Sequence, residues 1–214
     1  MSAVIAIDGT FASGKGTLGK RVAARYGFAY LDTGKLYRAT AYAMMQSGDD
    51  ITDGALAANA AAKLTAEALN DPALKSGDVG AAASKIAIHT EVRAALLKFQ
   101  RDFAKSGAGA VLDGRDIGTV ICPDADVKLY VDARPLVRAQ RRYKELSGYG
   151  EDTSVETVLA QLHERDRRDK SRAQAPLKAA DDAHLLDTSD LDIEGAVSAA
   201  IAIIDAVLQA GAPD

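Results

Sequence analysis

One cysteine and three histidines stand among 214 residues. With Cys122 alone, no intramolecular disulfide can form, and a reducing, cytoplasmic setting is expected. A lone cysteine is usually a buried hydrophobe, so no redox role is read into it. His89, His163 and His184 show neither metal-ligand spacing nor a neighbouring nucleophile, and all three read as structural. The net charge is only −4, which lacks the basic footprint of a nucleic-acid-binding protein. Long apolar runs are missing as well. The apolar run in the opening MSAVIAIDGT ends at Asp8 and is too short for a signal peptide, and no stretch is expected to span a membrane. Aromatic residues make up 5% of the chain, and no exposed apolar stripe is legible, so a monomer is expected.

What is present fits an ordinary globular protein: 48% hydrophobic and 26% charged residues, enough for one large core with a small mobile subdomain. Short apolar runs alternate with longer helical ones, the pattern of a parallel α/β fold. Strands are predicted at 3–7, 28–31, 110–112, 127–131 and 183–186. Helices are predicted at 15–26, 36–46 and 193–208, the last with Asp192 as N-cap. Residues 52–105 are rich in Ala and Leu and read as helices broken near Asn70–Asp78, where Asn, Asp, Pro, Ser and Gly gather. Eight arginines fall between Arg134 and Arg172. The loop signal SGYGEDT at 147–153 splits that stretch into two helical halves, the layout of a hairpin lid.

The sharpest motif is Gly9-Thr10-Phe11-Ala12-Ser13-Gly14-Lys15-Gly16-Thr17, between an apolar strand and an amphipathic helix. That is the context of a phosphate-binding loop. Glycines let consecutive N–H groups curl toward phosphate oxygens, and the helix adds its positive N-terminal end. Lys15 supplies a mobile charge for the outer phosphates of ATP. Because Gly16 follows the lysine, Thr17 is the candidate hydroxyl near Mg²⁺. Such loops serve GTPases, motors and small-molecule kinases alike. The chain lacks the Asn-Lys-x-Asp of guanine recognition and is short for a motor.

After the second strand, Asp32-Thr33-Gly34-Lys35-Leu36-Tyr37-Arg38 opens a helix whose N-terminus suits a second phosphate, with Arg38 to clamp it. Gly114-Arg115-Asp116-Ile117-Gly118-Thr119 follows a third strand, and Glu164–Arg172 carries four arginines in eight positions from Arg165. Together with Pro123-Asp124-Ala125 and Ala175-Pro176-Leu177, this ordered set resembles the bacterial cytidylate kinase family nearly end to end.

The resemblance implies an α/β P-loop fold of three layers: a central parallel sheet, a helical NMP-binding insertion at about 51–105, and an Arg-rich helical lid at about 134–172. The core would be about 1–50, 106–133 and 173–214, all in one domain. The implied activity is transfer of phosphate from ATP to CMP or dCMP with Mg²⁺, in pyrimidine nucleotide metabolism. The implied ATP loop is Gly9 to Thr17. Thr33 and Arg38 would face the CMP phosphate. Ser84, Arg93 and Arg172 would read the cytosine edge. Asp113 and Arg115 match an acid and a phosphate-facing arginine, and Arg165 and Asp169 would hold the sugar hydroxyls. Lys15, Arg38, Arg115 and a lid arginine, Arg168 with Arg138, Arg141 and Arg142 as companions, would neutralise the transferring group. Other acceptors on the same fold (UMP, AMP, shikimate) and a nucleotide-binding regulatory module stay open on the residues alone.

Departures from the family pattern stand in the loop. Thr10 and Phe11 occupy positions where relatives usually carry Pro and Ser or Ala, so Phe11 adds bulk beside the phosphates. Ala12 replaces a glycine and is expected to hold a negative φ. The insertion is shorter than in many relatives, which carry extra strands near 70–78.

Overall fold

The computed structural model describes residues 3–210. Five parallel strands form one sheet in the order β2-β3-β1-β4-β5: β1 Val4–Gly9, β2 Ala29–Asp32, β3 Ala110–Gly114, β4 Val127–Asp132 and β5 His184–Asp187. The predicted α/β class and strand positions hold, with two informative shifts. β1 runs on through Asp8 and Gly9, because the buried Asp8 carboxylate takes two backbone N–H groups from the loop after β3. The helix after β2, α2, runs Thr33–Ser47. It starts three residues earlier than the apolar period indicated, because Asp32 caps it, accepting from the Lys35 amide at 3.3 Å.

Side-chain alternation along the strands builds two cores, one on each face. Ile5, Ile7, Val111 and Leu129 face helix α1 (Lys15–Tyr26) and helix α8 (Ile193–Ala210), which contribute Leu18, Val22, Val197, Ala200 and Ile204. Ala6, Leu31, Ala110 and Leu112 face the opposite way, onto α2 and the helices α3 (Gly54–Ala62), α4 (Gly77–Ile86) and α5 (Thr90–Ala104). The 51–105 region therefore shares its core with the sheet. Its break is two short 3₁₀ turns, Glu67–Asn70 and Pro72–Lys75. Helices α6 (Pro135–Gly148) and α7 (Val155–Lys170) form the Arg-rich hairpin around a small core of Ala139, Leu146 and Val158.

Two features were not foreseen. A single π-helical turn, Ile117–Ile121, follows β3. And α8, capped by Asp192 as expected (Gly195 amide donating at 2.7 Å), is long and apolar enough by composition to cross a membrane, with a mean hydropathy of 1.6. The sequence reading found no such stretch. In the structure one face of α8, Ala196, Val197, Ala200 and Ile204, packs against the sheet and α1.

Candidate active site

The phosphate loop leaves the carboxyl end of β1, where parallel α/β sheets place their ligands. Gly9 is required there by crowding: a Cβ would lie 1.9 Å from the Val131 carbonyl oxygen of β4. Gly14, at φ 91, caps α1 in the left-handed region that glycine adopts freely. Ala12 also lies there, at φ 60, against the expectation of a negative φ. The loop's curl dictates that angle, at about 1 kcal/mol for a residue with a Cβ. Thr10 does not face the loop's interior; its hydroxyl donates to Asp132 Oδ1 at 2.5 Å, tying the loop to β4.

Lys15 sits at the first turn of α1 between Asp113, Asp32 and Arg115. Burial, with Arg115 beside it, brings its ammonium down to about 8, although both carboxylates favour the charge. Asp113 is pushed up to about 6 by burial and by the like charge of Asp32. Tyr30 counters this by donating to Asp113 Oδ2 at 2.7 Å, and it also reaches the Gly16 carbonyl at 3.2 Å. Gly16 leaves room at this point: its Cβ would meet Asp113 Oδ2 at 3.5 Å. Thr17, the expected hydroxyl near the metal, is exposed on the other side. It lines a cavity of about 580 Å³ with Ser13, Arg141, Thr188, Leu191 and Ile193.

Three of the predicted acceptor arginines converge on Asp169, which is 1% exposed. Arg115 Nε donates to Oδ2 at 3.1 Å, Arg172 pairs with Oδ1, and Arg165 Nε stands 4.0 Å away. Burial works to raise the Asp169 carboxyl, and Arg115, Arg172 and Arg165 outweigh it, holding it below the usual range. Three guanidiniums gather around this one carboxylate, with Asp116 and Asp113 as further acids within electrostatic reach of Arg115 and, for Asp116, of Arg172. The Nε atoms of Arg165 and Arg172 are buried without hydrogen-bond partners, a costly state that an anionic or hydroxyl-rich ligand relieves. Both Asp169 oxygens already accept from arginines, so this residue organises the cluster in addition to any contact with a sugar.

Thr33 and Arg38 are anchored to the protein's own backbone. The Thr33 hydroxyl donates to the Asp113 carbonyl at 2.7 Å. Arg38 Nη1 donates to the Leu74 carbonyl at 2.7 Å and to that of Ser76 at 3.3 Å. Burial, then Arg142, depresses its pKa, as befits a cation held among cations. Arg93 pairs with Asp116 and donates to the Tyr37 hydroxyl at 3.3 Å. Arg172 lies within electrostatic reach of both Tyr37 and Asp116. Ser84 stands apart from this group: its hydroxyl accepts from Arg168 Nη1 at 2.8 Å. Arg168 thus faces α4 rather than the phosphate loop.

The lid arginines divide by environment. Arg138, 3% exposed, forms a two-pronged pair with Asp166 at 2.6 and 3.1 Å. It also donates to the carbonyls of Ala133 and Phe11. Asp166 lies on α7, so this pair joins the two helices of the hairpin. Arg141 reaches the Thr188 carbonyl at 2.7 Å and the Ser13 carbonyl at 3.5 Å. Arg142 pairs with Glu145 and donates to the Lys75 carbonyl. Arg134 is exposed and pairs with Asp190.

Sequence reasoning missed Asp8, Tyr30, Tyr37 and Asp116 as parts of the site. Asp8 is pushed up to about 7 by burial, against the pull of its bonds from Gly118 and Ile117, both at 2.7 Å. It fixes the π-helical turn that follows Arg115 and Asp116. The acid that ends an apolar strand was its only signal. Among the described residues, no group of three or more His, Cys, Asp or Glu side chains could hold a metal by itself.

Comparison with known proteins places this geometry. The model of the cytidylate kinase family matches residues 5–206. Cytidylate kinases of Rhodopseudomonas palustris and Bradyrhizobium diazoefficiens are 60% and 59% identical over 204 residues, 95% of this chain and 96% of each relative. That of Afipia carboxidovorans is 59% identical over 202 residues, 94% of this chain and 97% of the relative. Among solved structures, a shikimate kinase from Bacteroides thetaiotaomicron superposes with a TM-score of 0.53 at 12% identity, covering 97% of this chain and 98% of the other. A sugar kinase from a Janibacter species gives 0.52 at 16% identity, with the same two coverages. At such identities these two show the shared fold alone. The family model and these relatives span nearly the whole chain, and the chain belongs to the cytidylate kinase family.

Proposed function

We propose that the protein transfers the terminal phosphoryl group of ATP to CMP or dCMP, giving ADP and CDP or dCDP. The observation that carries this reading is the meeting of two anion sites at Arg115. On one side lies the Lys15 loop; on the other lies the Asp169 cluster with its three arginines and orphaned Nε atoms. A protein that only bound ATP would need the first and not the second.

The chemistry follows from positioning. A phosphate oxygen of CMP attacks the γ-phosphorus of ATP. The new P–O bond forms as the bond to the β–γ bridging oxygen breaks, and that oxygen leaves with ADP. The acceptor is already anionic, so no strong general base is required, and catalysis rests on alignment and charge neutralisation. Lys15 holds the outer donor phosphates. Arg115, between donor and acceptor, is placed to span both. The 580 Å³ cavity beside Thr17 and Leu191 suits the ATP base, with Thr17 near the inner phosphates.

Asp32 and Asp113 fit the Mg²⁺ that this chemistry uses. They are two oxygen donors close enough for the charge of Asp32 to raise Asp113, and a hard cation takes one or two carboxylates plus phosphate and water. When bound, Mg²⁺ neutralises charge on the β- and γ-phosphates. Asp113 is the better placed acid, beside Lys15 and Gly16; Thr17 faces the cavity on the other side of the loop.

Cytosine selection is assigned to Arg93, Asp116 and Arg172, with Ser84 and Arg168 closing the α4 side. The Asp116 carboxylate is an acceptor for the exocyclic amine of cytosine, a donor that uracil lacks. We further infer a cytoplasmic monomer acting on small nucleotides. ADP formation measured with CMP, dCMP, UMP, AMP and shikimate tests the reading. Strong stimulation by CMP and dCMP alone supports it, and stimulation by none leaves a nucleotide-binding protein without transferase activity.

A further inference from the structure

Arg165 poses a question of support. It lies in a cluster with Arg115, Arg38 and Arg172, and burial together with Arg115 brings its guanidinium down to about 9. Its nearest acid, Asp169, is 4.0 Å away, and both Asp169 oxygens are engaged by Arg115 and Arg172. Among the described residues its one hydrogen bond runs to the Gly80 carbonyl at 3.3 Å, and its Nε has none. What faces the guanidinium is the ring of Phe11, 4.1 Å from its central carbon to the ring centroid. Arg142 of α6 stands over the same ring at 5.6 Å. The Phe11 carbonyl accepts from Arg138 at 3.1 Å. One residue of the phosphate loop is thus gripped by three arginines of the lid hairpin.

We propose that Phe11 is a positioning residue for the acceptor substrate: its ring face holds Arg165 in place by cation–π stacking, although Phe11 itself belongs to the ATP loop. The proposal rests on the reading of the Asp169 cluster as the CMP side. The negative face of the half-buried ring offsets the repulsion from neighbouring arginines where no carboxylate is free. An arginine ordered before CMP arrives gives up less conformational freedom on binding. A bulky loop residue acting only on the donor would alter ATP binding. A support for Arg165 alters CMP binding instead.

The test is steady-state kinetics on the full chain with Phe11→Leu, Phe11→Tyr, Arg165→Gln and the Phe11→Leu/Arg165→Gln double variant. Phe11→Leu should raise the KM for CMP roughly threefold to thirtyfold, the range of cation–π contacts from exposed to desolvated, while the KM for ATP moves less than about twofold. Phe11→Tyr, which keeps the ring face, should restore most of the loss. In the double variant the two effects on the CMP KM should fall short of their product, as for residues in contact. A rise confined to the KM for ATP, equal behaviour of Leu and Tyr, or full multiplicativity each overturns the proposal. Phe11→Met, another side chain without a ring, supplies the same comparison if leucine is not tolerated. A native enzyme that CMP does not stimulate would instead contradict the functional reading beneath it.

Discussion

Tyr30 donates its phenolic proton to Asp113 at 2.7 Å, linking the edge strand β2 to β3 beneath the phosphate loop. That bond lowers the Asp113 pKa, while burial and Asp32 raise it to about 6. Activity that needs the carboxylate should therefore fall as pH drops through about 6. In Tyr30→Phe the acid limb of kcat/KM for ATP should move to higher pH by roughly one unit, the worth of a hydrogen bond to a charged group. A pH profile of the two proteins checks this, and an unmoved limb would show that Asp113 does not control it.

Stability should depend on pH through Asp8 and Asp113, whose carboxyls are raised to about 7 and about 6 in the folded protein. Between about pH 4 and 7 the folded chain keeps protons that the unfolded chain has released. Their contribution is thus complete below pH 4 and is lost as pH rises through 6 and 7. Asp169, held low by its arginines, acts only at lower pH, where protonation removes its contribution. Thermal unfolding should show a higher midpoint at pH 5 than at pH 7.5; the reverse order would contradict these assignments.

Asp166→Ala should destabilise the protein by about 3 kcal/mol, because it removes the two-pronged partner of the buried Arg138 guanidinium and leaves the more distant Asp132, 3.8 Å from Nε, as its counter-charge. Two carbonyl bonds remain to Arg138, which keeps the loss at the lower end for a broken buried pair. Urea unfolding at fixed pH measures it, and a change under 1 kcal/mol would mean that the pair is not held as described.

Asp116→Asn should erode the choice between bases. The amide can donate to the uracil carbonyl, and Arg93 loses its partner. The ratio of kcat/KM for CMP over UMP should fall at least about tenfold, the value of one well-placed polar contact. An unchanged ratio would move base recognition elsewhere.

The sheet was legible because short, mainly apolar runs such as Val4–Ile7 and Val127–Val131 form strands buried on both faces. The phosphate loop was legible because few chemistries use glycines, a lysine and flanking elements in that order. The partnerships were not. Arg138 with Asp166 and Arg165 with Phe11 join residues 28 and 154 positions apart, and no local spacing encodes such a contact. The same holds for Asp8, which looked like a strand terminator until β3's following turn was seen to close over it. Arg168 was drawn to the transferring phosphate by its neighbours in sequence, but its helical phase turns it toward Ser84.

The central claim is tested most directly by following the fate of the γ-phosphate. ATP labelled at that position should be incubated with the protein, Mg²⁺ and CMP, and the products separated. The account predicts label in CDP, formed in step with ADP, and none released as inorganic phosphate beyond the rate without CMP. Label appearing only as inorganic phosphate, or no turnover with CMP present, would contradict it.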